Sequence, residues 1–96
     1  MKECRQFMVF GRVQGVGFRK FVKAKVDAIN EQEILLSGHI RNLEDGSVRA
    51  VAQGESADLD ILEKIIKAGT IRSVIERVEV TSLDIDESLH DFEILR

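Results

Sequence analysis

The spacing of the apolar residues changes abruptly at a cluster of glycines near the N-terminus. Gln6–Val13 alternates with the two-residue period of a β-strand, and apolar residues on both of its faces indicate an interior strand. Three glycines then fall within residues 11–17, after which apolar residues recur at helical spacing over Phe18–Ile29. These patterns predict a strand, a glycine-rich loop and a helix that ends before Gln32.

A turn signal and a second helical pattern follow in the middle of the chain. Leu36–Leu43 and Ser47–Gln53 flank Asp45-Gly46, and glycine tolerates the positive φ of a tight hairpin turn. Ser56 is predicted to cap the next helix and Gly69 to end it. The expected inner stripe of that helix consists of Ile61, Leu62, Ile65 and Ile66.

Two further strand patterns complete the chain. Val74–Leu83 is predicted to form a fourth strand, and Phe92–Ile94 can add a short fifth. The order βαββαβ is that of the ferredoxin-like α+β fold, in which an antiparallel sheet carries two helices on one face. Many unrelated functions share this fold, so the function has to be inferred from a site.

Length and composition predict a single domain over residues 1–96. Apolar residues make up 44% of the chain and charged residues 32%, as in ordinary globular proteins and unlike disordered or membrane-spanning chains. No apolar run approaches the roughly 20 residues that span a bilayer, and the first residues resemble no signal peptide. We therefore expect a cytoplasmic protein with no membrane contact, and a monomer. Cys4 is the only cysteine, which excludes an intrachain disulfide and a cysteine-rich zinc site.

Positive charge is concentrated near the N-terminus. Residues 5–26 contain six basic side chains and no acidic one, whereas the whole chain has a net charge of −3. Such a chain lacks the broad positive surface that binds nucleic acid, but a local cationic patch can hold one small anion. The competing interpretation is that these cations only occupy solvated helix and strand faces. The residues concerned are Arg5, Arg12, Arg19, Lys20, Lys23 and Lys25.

The segment Gly11–Arg19 combines glycines and an arginine where the strand turns into the helix. Glycines let successive backbone N–H groups point inward, the helix N-terminus adds positive partial charge, and Arg19 can pair two oxygens of a tetrahedral anion. A tight turn that needs glycine for steric reasons would look similar. Spacing excludes a Walker loop and a dinucleotide fingerprint, since Lys20 stands where the third glycine would be. The predicted third strand carries no aromatic residue on which RNA bases could stack.

Two motifs resemble the signatures of the acylphosphatases. The first is GRVQGVGFR at residues 11–19, and the second is GHIRNLEDGSV at residues 38–48. Weaker similarity extends to Ala52–Gly54, Val78–Val80 and Phe92–Ile94, so the resemblance spans essentially the whole chain. The sequence is therefore identified as a member of the acylphosphatase family.

The resemblance implies hydrolysis of acyl phosphates, the mixed anhydrides of carboxylic and phosphoric acids, to carboxylate and inorganic phosphate without a metal or cofactor. Arg19 and Asn42 occupy the family's catalytic positions, where Arg19 would hold and neutralise the phosphate and Asn42 would orient the attacking water. The chemistry agrees, because phosphoryl transfer needs mainly positioning and charge stabilisation. The backbone expected to wrap the phosphoryl oxygens comprises Gln14, Gly15, Val16, Gly17, Phe18 and Arg19.

Asn42 also has a purely structural interpretation. An asparagine just before a hairpin turn often caps that turn. Alternation puts Ile40 and Asn42 on the same face of the second strand, so Asn42 reaches the glycine-rich loop if Ile40 faces the helices.

Two features depart from the family pattern. His39 stands where the family often has an aromatic residue, and we interpret it as a substitution at a strand surface or at a sheet edge. The connection between Arg19 and Asn42 is longer than in compact family members by roughly one turn of helix. We expect the additional residues within Asn30–Leu36, where they would alter the shape of the pocket more than its chemistry.

The sequence is consistent with two functions of different classes, an enzyme and a binding module. The first is a free-standing acylphosphatase, and the second is a non-catalytic phosphate-binding or regulatory module. The presence of both Arg19 and Asn42 favours catalysis, since anion binding alone needs no water-orienting amide. The acylphosphatase-like domain of larger carbamoyl-phosphate-using maturation enzymes is disfavoured by the length of the chain and by the lack of zinc-binding cysteine pairs.

Overall fold

Five strands and two helices follow one another in the predicted order. The structure is a computed structural model that describes residues 1–96. The elements are β1 Lys2–Arg12, α1 Phe18–Ile29, β2 Ser37–Asn42, β3 Val48–Glu55, α2 Ser56–Ala68, β4 Val74–Leu83 and β5 Phe92–Ile94. Neither helix has the length and apolar character that a bilayer crossing requires. The ferredoxin-like α+β fold expected from the sequence is confirmed.

The sheet is mixed rather than wholly antiparallel. Its strand order is β4-β1-β3-β2-β5, and the first four strands pair antiparallel as expected. The added strand β5 instead pairs parallel to β2, with Ile94 beside Ile40. The chain leaves β4 at one edge of the sheet and crosses to the other edge through residues 84–91, so β5 runs in the direction of β2. As a result β1, β2 and β5 all end at the same end of the sheet.

One face of the sheet packs against both helices. Helix α1 lies against β2 and β5, and α2 lies against β1 and β3. Phe7 and Val9 of β1 point into this layer and are fully buried, whereas Met8 between them faces the opposite side and is only half-buried. The core side chains that the helices contribute are Phe18, Val22, Val26, Leu59, Leu62 and Ile66.

The second helix begins one residue earlier than predicted. Ser56 is the first helical residue and not the N-cap, which is Glu55 in an extended conformation, and no side chain caps the helix. The reason is that β3 runs directly into α2 without a loop, and the N–H of Ser56 donates to the Met1 carbonyl at 3.2 Å. The other end agrees with the prediction, because Gly69 ends the helix with φ of 66°.

The buried stripe of α2 also differs from the predicted one. Leu59, Leu62 and Ile66 are fully buried, whereas Ile61 is 48% exposed. Positions three and four residues apart share one helix face, so a stripe centred on Leu62 includes Leu59 and Ile66 and leaves Ile61 to one side.

The connection between α1 and β2 lies at the far end of α1 from the glycine-rich loop. A helix of 12 residues is about 18 Å long. Asn30 ends α1 and holds the connection, because its Oδ1 accepts from the N–H groups of Leu35 and Leu36 at 2.9 Å each. None of residues 30–36 lines the cavity beside Arg19, so the residues in this connection do not contact it.

Candidate active site

The ends of three strands bring the predicted site residues together. Residues 13–17 follow β1, Asn42 is the last residue of β2, and Leu95 follows β5. Because these strands end at the same end of the sheet, the residues meet beside the N-terminus of α1. A cavity of about 240 Å³ opens at this point. Its lining comprises Val13, Gly15, Gly17, Phe18, Arg19, Lys20 and Asn42.

Gly15 and Gly17 give the loop its shape. Their φ angles are 72° and 75°, in the left-handed region that residues with a side chain rarely adopt. A Cβ atom on either glycine would meet no heavy atom within 4 Å. Glycine is therefore needed here for the backbone conformation and not to avoid neighbouring atoms, and the space above both residues is open to a ligand.

The loop presents a row of backbone N–H groups that have no acceptor in the protein. No hydrogen bond within the chain uses a backbone N–H of residues 14–20 as its donor, and the helical ladder begins with the bond from Phe21 N–H to the Gly17 carbonyl at 3.0 Å. Helix α1 has neither a side-chain cap nor an acidic residue in its first turn. Free N–H groups at a helix N-terminus carry positive partial charge, so this turn is suited to an anion.

Arg19 adds a full positive charge beside these N–H groups. It lies half-buried in the first turn of α1, and its Nη1 donates to the Leu95 carbonyl at 3.1 Å. No ion pair involves Arg19, so no carboxylate of the protein neutralises it. The bond to Leu95 fixes one side of the guanidinium plane and leaves the rest of the fork available to a ligand.

Most of the other N-terminal cations are engaged elsewhere. Arg5 pairs with a carboxylate of α2 at 2.7 Å, and Lys23 pairs with a carboxylate of its own helix at 2.6 Å. Lys25 lies over an aromatic ring of α1. These three cations therefore occupy helix and strand faces and do not contribute to an anion site. Of the six N-terminal cations, those that line a cavity at the loop and have no ion pair are Arg12, Arg19 and Lys20.

Asn42 lies on the helix side of the sheet, as alternation along β2 predicts. Ile40 is fully buried against the helices, and Asn42 lines the same cavity as Arg19. The Oδ1 atom of Asn42 is buried and has no hydrogen-bond partner in the protein. The side chain therefore does not cap the hairpin, and an amide that lacks a partner in the protein and lines a cavity is suited to binding a molecule held there.

The side chain of Gln14 connects the loop to the β2–β3 hairpin. Its Nε2 donates to the carbonyls of Leu43 and Ser47 at 2.7 and 2.9 Å. Asp45 in the same turn accepts from the hydroxyl and the N–H of Ser47, and these bonds lower the pKa of the Asp45 carboxyl. Because both amide hydrogens of Gln14 are used, this predicted phosphate-binding residue can contribute to an anion site only through its backbone.

Three features of the site go beyond the sequence-based expectation. Val16 of the predicted loop is 8% exposed, and its side chain joins the hydrophobic core. Lys20 also lines the cavity, and its place next to Arg19 in the cationic segment is the sequence signal for this position. Leu95 contributes a backbone carbonyl, which no sequence pattern reveals.

His39 and Cys4 lie on the sheet face that points away from the helices, outside the cavity. Burial and the positive charge of Arg49 lower the pKa of His39, whose Nδ1 is buried without a partner. Cys4 is 3% exposed, and burial raises the pKa of its thiol. Neither residue can act on a ligand bound at the loop.

The cavity is lined by amide, guanidinium and ammonium groups and by apolar side chains. No His, Cys, Asp or Glu lines it, and nowhere in the structure are three such side chains grouped so that they could hold a metal ion. The arrangement can bind an anion and orient a neutral molecule beside it, but it offers no side chain that could act as a general base.

Comparisons with known proteins agree with this picture. The sequence model of the Acylphosphatase family matches residues 5–94. An acylphosphatase from Helicobacter hepaticus is 56% identical over 96 residues, which covers 100% of both chains. The structure of acylphosphatase from Bacillus subtilis has a TM-score of 0.87 at 33% identity over 100% of both chains. Full-length HypF in its phosphate- and nucleotide-bound form matches with a TM-score of 0.81 at 28% identity, over 100% of this chain and 12% of HypF.

Fold and loop together define a ferredoxin-like α+β protein with an anion-suited turn at a helix N-terminus. The family model matches residues 5–94, and this match assigns the protein to one family within that class. The chain belongs to the acylphosphatase family, a family of hydrolases, as the two sequence motifs predict.

Proposed function

We propose that the chain hydrolyses acyl phosphates to a carboxylate and inorganic phosphate, without a metal, at the cavity beside Arg19. The observation that carries the proposal is the convergence of three kinds of unpaired group on one cavity. They are the backbone N–H groups of Gly15 and residues 17–20, the guanidinium of Arg19 and the side-chain amide of Asn42. Family membership supports the choice of acyl phosphates as the substrate class.

The loop and Arg19 hold the phosphoryl group in this proposal. Several N–H groups that converge at a helix N-terminus stabilise a tetrahedral dianion, and the planar guanidinium pairs two of its oxygens. These donors are already in place, so they need little reorganisation when charge develops on the phosphoryl oxygens. The bond from Arg19 to the Leu95 carbonyl at 3.1 Å keeps the guanidinium oriented toward the cavity.

Asn42 orients the attacking water. Its side-chain amide lines the cavity and binds a water placed beside the phosphorus atom, and this contact fixes the direction of attack. The water oxygen forms the new P–O bond while the bond from phosphorus to the acyl oxygen breaks, and the carboxylate leaves with the electron pair. No His or carboxylate lines the cavity, so the water's proton passes to an oxygen of the substrate's own phosphate.

The direct test is hydrolysis of acetyl phosphate by the purified chain with and without EDTA. We expect turnover that EDTA leaves unchanged, and very slow hydrolysis of glycerol 3-phosphate, because an alkoxide is a much worse leaving group than a carboxylate. Loss of activity in EDTA and recovery with a divalent ion would contradict the metal-free part of the proposal. Binding of phosphate without turnover of any acyl phosphate would favour the non-catalytic phosphate-binding module.

A further inference from the structure

Two arginines lie directly opposite each other on the face of the sheet that points away from the helices, which we call the open face. Arg41 of β2 and Arg49 of β3 are partners in the antiparallel ladder, so their side chains leave the same face of the sheet. Ile40 and Ala50, one position along each strand, are fully buried against the helices, which places both arginines on the open face. Like charges in this arrangement destabilise a strand pair unless an ion of opposite charge lies between them.

No carboxylate of the protein neutralises this pair. Neither Arg41 nor Arg49 takes part in any ion pair of the structure, whereas Arg77 in β4 pairs with a carboxylate at 2.8 Å. The Nε atom of Arg49 donates to the Oε1 atom of Gln6 at 2.8 Å. The side chain of Arg41 donates to no acceptor, and its Nε atom is buried without a partner. The terminal nitrogens of both guanidinium groups are therefore left without an acceptor in the protein.

His39 lies beside the two arginines on the open face. It is two residues before Arg41 on β2, and its Nδ1 atom is buried without a partner. Burial lowers the pKa of His39, and the charges of Arg49 and Arg41 lower it further, so both guanidinium groups lie close enough to act on the imidazole. The acids that act in the opposite direction are Glu93, its partner in the β2–β5 ladder, and Asp86. The imidazole is therefore a local probe of an anion held between the two arginines.

The part of the open face around the two arginines is accessible to small ions. The segment 84–91 contacts the other end of this face, where the side-chain amide of Gln53 donates to the Asp86 carbonyl at 3.0 Å and accepts from the Asp86 N–H at 2.8 Å. Gln53 lies four residues after Arg49 on β3, or about 13 Å away along the strand. Arg41 and Arg49 are only half-buried, and neither lines the cavity beside Arg19.

We propose that Arg41 and Arg49 bind a tetrahedral dianion, such as sulfate or phosphate, on the open face of the sheet, at a site separate from the cavity beside Arg19. A guanidinium pairs well with an oxyanion through its planar N–H groups, and two cations on neighbouring strands match the two charges of one dianion. The bound ion removes the repulsion between the arginines. Because the ion binds the folded chain, it also stabilises the fold. Such binding does not require that the chain be an enzyme.

The test follows the imidazole NMR signals of His39 and His90 as the pH is varied, in sodium sulfate and in sodium chloride at equal ionic strength. Sulfate is a dianion throughout this pH range, and its charge beside the imidazole favours the protonated form. We therefore expect the pKa of His39 to be higher in sulfate than in chloride. His90, at an exposed position, is the internal control and should titrate alike in both salts. At fixed pH, the His39 signal should saturate with a Kd on the order of 1 to 10 mM for sulfate.

Variants locate the site on the open face. Arg41→Gln and Arg49→Gln each remove one of the two cations, and each should weaken sulfate binding by about three- to tenfold. Lys64→Gln removes an exposed cation of α2, on the helix side of the sheet, and should leave the binding unchanged. Arg19→Ala should also leave the response of His39 to sulfate unchanged, because Arg19 lines the cavity on the other face.

Three results would overturn the open-face site. They are equal pKa values of His39 in the two salts, sulfate binding that is as tight in both glutamine variants as in the parent protein, and loss of the His39 response in Arg19→Ala. None of these results bears on hydrolysis of acyl phosphates, which the assay with acetyl phosphate tests separately. The comparison of the two salts uses the parent protein, so it does not depend on the folding of any variant.

Discussion

The side-chain amide of Gln14 donates to the backbone carbonyl of Leu43 at 2.7 Å. This bond joins the glycine-rich loop, which follows β1, to the residue after Asn42 at the end of β2. Two parts of the chain that are distant in sequence and separated by β3 in the sheet are thereby held at a fixed distance. Since the proposed reaction needs a phosphate on the loop and a water on Asn42 in line with each other, this distance matters for turnover.

Replacing Gln14 by leucine removes both hydrogen bonds with little change in side-chain volume. We expect Gln14→Leu to lose about 1–3 kcal/mol of unfolding free energy, because the carbonyls of Leu43 and Ser47 lose a donor. We also expect kcat to fall more than phosphate binding does. Urea titration and steady-state kinetics measure the two effects, with Gln32→Leu in the exposed α1–β2 connection as the control. A Gln14→Leu protein with parental stability and kcat would show that the link is unimportant.

The guanidinium of Arg19 is expected to be needed for both binding and turnover. Arg19→Ala removes the charge that no carboxylate neutralises, so kcat/KM should fall on the order of 10² to 10³ and inhibition by inorganic phosphate should weaken. Arg19→Lys should also fail, because an ammonium cannot pair two oxygens in one plane. Lys64→Ala, at an exposed position of α2, is the control for loss of one positive charge. Near-normal turnover by Arg19→Ala would assign the role to another cation.

The left-handed conformation of Gly17 predicts a larger loss of stability and of phosphate binding for one substitution than for another. With φ of 75° and open space around the Cβ position, Gly17→Ala should lose about 1–2 kcal/mol of unfolding free energy without any clash. Relief of that strain would rotate the loop N–H groups away from the anion, so phosphate inhibition should weaken. Gly17→Asn should lose less of both, because asparagine tolerates this conformation better. Equal losses in the two variants would mean that the conformation is not what the position requires.

The lowered pKa of His39 predicts that the stability of the protein depends on pH. Its pKa is lowered from the ordinary value of 6.5, mainly by burial and then by the charge of Arg49. The unfolded chain therefore binds a proton at pH values where the folded chain does not, and the contribution of His39 to stability falls as the pH decreases from 6.5 toward the lowered pKa.

The comparison of His39→Phe with the parent protein isolates this contribution. We expect the variant to lose less stability than the parent between about pH 7.5 and pH 5, as measured by denaturant midpoints. His90→Phe, at an exposed position, should follow the parent. Parallel curves for His39→Phe and the parent would show that the histidine has the same pKa in both states.

The sequence predicts the order of elements well because that order depends on local patterns. The change of apolar period at residues 11–17 marks the strand, loop and helix, and Asp45-Gly46 marks the hairpin. The alternation of β2 also predicts correctly that Asn42 shares a face with Ile40. The parallel pairing of β5 could not be predicted, because it depends on where residues 84–91 cross the sheet.

The contacts that complete the site are less accessible to sequence reasoning. The Leu95 carbonyl that holds Arg19 and the two carbonyls that hold Gln14 are backbone groups, and any residue type could supply them. At Ser56 a local sequence signal is misleading. Serine is suited to an N-cap, but Ser56 is the first helical residue of α2 because β3 runs directly into the helix without a loop.

The most direct test of the central claim is the effect of Asn42→Ala on kcat and on inhibition by inorganic phosphate, measured on one preparation. If the side-chain amide of Asn42 orients the water while the loop and Arg19 hold the phosphate, kcat falls deeply and the inhibition constant for phosphate stays almost unchanged. If Asn42 only supports the hairpin, kcat per folded molecule is unchanged and the denaturant midpoint falls, with a loss of roughly 0.5 to 2 kcal/mol by analogy with helix caps. The first result is the one that we predict, and the second would contradict the proposed role of Asn42.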